Sequence, residues 1–194
     1  MRGTVESAET IHWHPRLATL RAELLLRRAI LRAAIDAFST DAYDVRPGAD
    51  RWSIAEVIEH LARTEAGIAV LVRRSASALR ARAEADAALA APETAALDAD
   101  LLVDRSRRLV APDAVQPRGN LPFAAAWAAL LEADRKLDDA MLSGNGLPLD
   151  TIAHPHPALG PIDVYQWIAF IGLHELRHAD QIREIGAAAS ETGR

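Results

Sequence analysis

The sequence predicts an all-α protein built as a four-helix bundle, and three observations carry that prediction. Alanine makes up about a fifth of the 194 residues while aromatics make up 5%, and with leucine, arginine and glutamate this composition favours helix. Valine, isoleucine and threonine are sparse and never alternate over the length of a strand, so nothing favours a sheet. Apolar residues recur at helical spacing through four long segments separated by proline- and glycine-bearing loops.

Pro15 suits the start of the first helix. Leu17, Leu20, Leu24, Leu31, Ile35 and Phe38 follow at spacings of 3, 4, 7, 4 and 3, a stripe that ends near Ser39. Pro47 and Gly48 mark residues 40–50 as a loop. Ser53-Ile54-Ala55-Glu56 is a capping box: the serine hydroxyl can accept from the Glu56 amide while the glutamate reaches back. The second helix runs from there to about Arg82, or further through the alanines, burying Ile54, Val57, Ile58, Leu61, Ile68, Val72 and Leu79. From Ala90 to Leu121 the pattern weakens at Pro92, Pro112 and Pro117, with room for a short helix between Leu97 and Leu109. Arg105, Arg107 and Arg108 read there as a solvated face. A connection of about 30 residues lets the third long helix enter parallel to the second. That helix spans Pro122 to Leu142, with Phe123, Trp127, Leu130, Leu131, Leu137 and Met141 as its stripe, and Ser143-Gly144-Asn145-Gly146 stops it. A loop carrying His154-Pro155-His156-Pro157 and Gly160 follows, and the fourth long helix runs from near Pro161 to about Ile185. The expected organisation is one domain over residues 1–194 with its core at about 16–186.

Composition also excludes. Lysine plus arginine number 22 and aspartate plus glutamate 27, a net charge of −5, which argues against non-specific nucleic-acid binding. With no cysteine there is no disulfide, thiolate metal site or cysteine nucleophile. The longest apolar stretches, Leu121 to Leu131 and Val164 to Leu173, are short of the roughly 20 residues that cross a bilayer. The polar amino-terminal stretch has no apolar leader core, so the cytoplasm is expected.

The fourth helix breaks its own stripe. Val164, Trp167, Ile168 and Ile171 continue into His174, His178, Gln181, Ile182 and Ile185 on the same face. Histidines at i and i+4 project side by side and can reach one ion. The second helix repeats the oddity, with His60 among Val57, Leu61, Thr64 and Ile68. Each histidine alone also fits a hydrogen-bonded core residue. Three inward imidazoles together suit a metal site with an open coordination position, since three unpaired core imidazoles would be costly.

Arg51-Trp52-Ser53-Ile54-Ala55-Glu56-Val57-Ile58-Glu59-His60-Leu61 resembles the second-helix motif of the DinB-like superfamily. His156-Pro157-Ala158-Leu159-Gly160, Trp167-Ile168-Ala169-Phe170 and His174-Glu175-Leu176-Arg177-His178-Ala179-Asp180-Gln181-Ile182 resemble its fourth-helix signature. The resemblance covers nearly the whole chain; the connection matches nothing usable. It implies an up-down-down-up bundle and one divalent metal, commonly zinc or nickel, on His60, His174 and His178. It also implies kinship with thiol S-transferases using bacillithiol, mycothiol or glutathione, with a mycothiol-dependent maleylpyruvate isomerase, and with proteins described as metal-dependent hydrolases.

His174-Glu175-Leu176-Arg177-His178 also reads as H-E-x-x-H, with Glu175 as general base, but no histidine follows His178 and a third ligand would have to be Glu184 or Glu191. Gln181 can support a metal through His178 or serve as a polar core contact. Trp52 reads as an anchor beside the capping box, His154 and His156 as structural or exposed loop residues, and His12 and His14 as terminal. The expected function is transfer of a low-molecular-weight thiol to or from a small electrophilic substrate. Metal-dependent hydrolysis and a non-catalytic metal-binding bundle are the alternatives. The residues leave the oligomeric state open, and long apolar stripes are compatible with a homodimer.

Overall fold

The computed structural model describes residues 12–83, 96–106 and 109–192, with the side chains of the last helix as far as residue 188. Four long helices form over the four stripes: α1 (Pro15–Asp36), α2 (Ile54–Ala83), α4 (Phe123–Ser143) and α5 (Val164–Thr192), the last running seven residues past the expected end near Ile185. A short α3 (Ala99–Val103) lies in the connection. The Ser53 capping box is made in full: the Ser53 hydroxyl accepts from the Glu56 amide at 3.2 Å, and the Glu56 carboxylate accepts from the Ser53 amide at 2.9 Å. All seven apolar residues expected on the inner face of α2 are buried.

Paired contacts set the direction of each helix. Arg16 lies over the Tyr165 ring and Arg28 meets Glu175, so α1 and α5 run the same way. Arg21 pairs with Asp138 and Arg28 approaches Asp134, so α4 runs opposite to α1. Arg80, near the end of α2, donates to the Ser143 carbonyl at the end of α4. At the other end the Tyr43 ring packs on Phe123 and its carbonyl accepts from the Ala55 amide, so α2 and α4 are parallel. The order is up-down-down-up.

Two expectations change. Residues 153–163 form a small antiparallel hairpin, β1 (Ala153–His156) against β2 (Gly160–Asp163), with His154 opposite Ile162. Gly160 turns it with φ +72°, and the His156 ring Nδ1 accepts from the Ala158 and Leu159 amides inside the turn. Helix α5 therefore starts at Val164 and not near Pro161. Its start is a second capping box: Asp163 Oδ1 accepts from the Gln166 amide at 2.8 Å, and Gln166 Oε1 accepts from the Asp163 amide at 2.9 Å. Pro161 stands in β2 instead. On α4, Leu131 lies on the outer side and is 39% exposed.

The apolar core is split. One cluster, around Leu17, Ile68, Leu137 and Ile168, fills one end of the bundle. A second, around Ile35, Ile58, Leu130 and Ile182, fills the other. Between them each long helix contributes a polar residue, Arg28, Glu65, Asp134 and Glu175. The connection is pinned to α5, where Arg177 donates to the carbonyls of Leu102 and Asp104 and so satisfies the end of α3. Arg105 of the expected solvated cluster pairs with Glu184; Arg107 and Arg108 lie outside the described residues.

Candidate metal centre

His60 comes from the second turn of α2, and His174 and His178 from successive turns of α5. Their ligand nitrogens lie within 4.8 Å of one another. His174 Nε2 stands 3.2 Å from His60 Nε2 and 3.0 Å from His178 Nε2. His60 and His178 are buried, whereas His174 keeps part of its surface open.

The far sides of the rings fix the tautomers. His60 Nδ1 sits 2.8 Å from the Val115 carbonyl, an acceptor only, so that nitrogen carries the proton. His178 Nδ1 sits 2.7 Å from Gln181 Oε1 and donates to it in the same way. Both neutral rings therefore aim a bare Nε2 lone pair at the Nε2 of His174. Burial is the main reason the His60 ring lies below the ordinary histidine value. Burial, then the neighbouring rings, holds His174 well below it, and burial with His60 does the same for His178. Neutral imidazole is the protonation state that metal ligation requires, and three ring nitrogens converge here, so the donor set fits a divalent ion.

Aromatic rings wall the cluster. Phe170 stacks on His174 with ring centres 5.0 Å apart, and the Trp52 ring lies 5.1 Å from that of His60. The His156 ring packs on Trp167 and Phe170, which ties the hairpin to the same wall. His154 pairs with Ser75 at 2.9 Å. His14 caps α1, and the His12 carbonyl accepts from Asn145.

Glu175 is not among the converging groups. It is one residue past His174, about 100° further round the helix, and meets Arg28 at 2.5 Å. Glu184 is taken by Arg105, and the Glu191 side chain lies outside the described residues. The third nitrogen comes from α2 and not from downstream of His178.

Sequence reasoning missed the Val115 carbonyl, because a backbone acceptor in a proline-rich connection leaves no residue-type signature. It also missed Phe170 as the ring stacked on His174, although their i, i+4 spacing carries that signal.

Comparison with family profiles matches residues 23–182 to the DinB superfamily. The chain belongs to the DinB superfamily. It is also similar to a Bacillus subtilis (strain 168) protein described as "Uncharacterized protein YuaE", 28% identical over 148 residues, which covers 76% of this chain and 85% of that protein. No solved structure matches. Among the described residues, no helix is long and apolar enough to cross a membrane.

Proposed function

We propose that this DinB-superfamily member holds one divalent ion, zinc or nickel, on the Nε2 atoms of His60, His174 and His178. We further propose that it transfers a low-molecular-weight thiol to or from a small electrophile. The observation that supports the metal most is the convergence of the three ring nitrogens, with His60 Nε2 at 3.2 Å and His178 Nε2 at 3.0 Å from His174 Nε2. A divalent cation at such a centre stabilises the thiolate form of a thiol brought to it.

The chain's own residues supply the setting. Val115 and Gln181 hold the rings in one orientation. Phe170 and Trp52 keep the surroundings apolar. With no cysteine in the sequence, the sulfur nucleophile comes from a second molecule. Glu175, the carboxylate of the H-E-x-x-H reading, is turned to Arg28 and away from the histidines.

The test combines elemental analysis of the purified protein with conjugation assays. Glutathione, bacillithiol and mycothiol are each offered with a haloarene or a bimane. The expected result is one zinc or nickel per chain and a conjugation rate that requires it. Metal-dependent cleavage of an ester or amide, with no conjugation, would replace this reading by hydrolysis. Metal without either activity would leave a binding role.

A further inference from the structure

We propose that Glu59 is a positioning residue for the histidine centre, acting through a strap, residues 113–119, that it holds against α2. The proposal rests on the metal reading above and concerns how His60 is kept in place.

The strap is short and mostly exposed: Ala114, Gln116, Arg118 and Gly119 all face solvent. Few apolar contacts hold it, so its position depends on polar ties. Four of these come from one stretch of α2. The buried Glu59 carboxylate accepts from two successive amides, Arg118 at 2.9 Å through one oxygen and Gly119 at 3.2 Å through the other. The next residue, His60, donates through Nδ1 to the Val115 carbonyl at 2.8 Å. One turn on, Arg63 donates to the Ala114 carbonyl at 2.8 Å. His60 and Arg63 thus grip one end of the loop and Glu59 the other.

The fit at Gly119 is close. Its φ is +69°, and a Cβ there would come 2.6 Å from a Glu56 carboxylate oxygen, so only glycine lets the strap lie this near the helix. Glu56 is itself fixed by Arg46 and by the capping box. The strap is therefore seated on two anchored carboxylates, and that seating puts the Val115 carbonyl where the His60 ring can use it.

The consequence is chemical. The His60 Nε2 lone pair points at the centre only while Nδ1 holds the proton and the ring keeps its angle. The Val115 carbonyl sets both, and Val115 is on station because Glu59 holds the amides three and four residues further along. A carboxylate that never touches the centre then governs its readiness to bind metal. Linkage makes the effect reciprocal: an ion that favours the set position of His60 also favours the seated strap.

The experiment compares wild type, Glu59→Gln and His60→Ala. Zinc affinity is measured by competition with a chelator, cobalt(II) spectra report ligand geometry, and amide exchange at Arg118 and Gly119 is followed by NMR with and without zinc. Glutamine keeps one acceptor oxygen but loses the charge and the second acceptor. Losing an outer partner of a metal ligand typically lowers affinity about 10- to 100-fold. We expect that loss in Glu59→Gln, together with altered cobalt ligand-field bands and an unchanged helix content. In wild type, zinc should slow exchange at the two strap amides. Wild-type zinc affinity and cobalt bands in Glu59→Gln, with strap exchange indifferent to zinc, would overturn the proposal while leaving the metal site standing. Should Glu59→Gln fail to fold, exchange in wild type decides alone. A wild-type protein that takes up neither zinc nor cobalt would sink the metal reading, and this proposal with it.

Discussion

Two polar clusters interrupt the same apolar core, and neighbouring residues feed both. His174 goes to one and Glu175 to the other. In the second cluster the guanidinium of Arg28 meets Glu175 at 2.5 Å and Glu65 at 2.7 Å, with Asp134 at 3.8 Å. That cluster contains its own cation. The histidine cluster contains three neutral imidazoles whose Nε2 atoms converge. Burial acts on both but in opposite chemical senses: it keeps the imidazoles unprotonated and pushes the carboxyls towards protonation. Glu65 is pushed up to about 8 and Glu175 to about 7, with Arg28 pulling both back. A buried polar layer can thus carry its counter-charge within the chain, as at Arg28, or lack one, as at the three histidines, where a metal ion is proposed.

The largest effect expected from breaking this contrast is at Arg28. Arg28→Ala leaves two buried carboxyls without their cation, and loss of one partner of a buried pair costs about 3–5 kcal/mol. Urea unfolding should show that loss, while the folded fraction retains metal as wild type does. Normal stability in Arg28→Ala would mean the cluster is wetter than its burial implies.

The complementary change is His60→Ala. It removes a proposed ligand and should lower metal retention by more than the roughly 100-fold upper range for an outer partner, measured by elemental analysis after dialysis against a chelator. Full retention would remove the three-histidine site. Gln181→Met is milder. It takes away the acceptor that orients His178 and should weaken zinc binding about 10- to 100-fold without much change in melting temperature.

The prediction sharpest on sign is the pH response of Glu65→Gln. The folded-state value lies above the ordinary value of 4.5, so between about 4.5 and 8 the folded chain binds more protons than the unfolded one. This contribution to stability is complete below 4.5 and declines as pH rises through the window. Glutamine leaves one carboxylate for one guanidinium. The variant should match wild type within about 1 kcal/mol near pH 5 and surpass it above pH 8. The imidazoles behave oppositely: their folded values lie below 6.5, so their share is complete above 6.5 and is lost as pH falls. Equal pH slopes for Glu65→Gln and wild type would show that Glu65 does not hold the proton.

Local periodicity and local pairing determined the four long helices, the seven buried apolar positions of α2, the Ser53 cap and the side-by-side placement of His174 and His178. These features depend on residues within about four positions of one another, where helix geometry alone dictates neighbours. The second cap, Asp163 with Gln166, was equally local, yet Pro161 drew the start of the last helix three residues early. His60 was legible as an anomaly in a buried stripe, but its meeting with the other two depends on how α2 crosses α5. The turning of Glu175 towards Arg28, the choice of the Val115 carbonyl as the partner of His60, and the seating of the strap on Glu59 were decided only by tertiary structure. Each joins groups dozens of residues apart, and one of each pair is often a backbone atom that every residue possesses. Such contacts leave no periodic trace in a chain, because what selects them is the packing of whole helices.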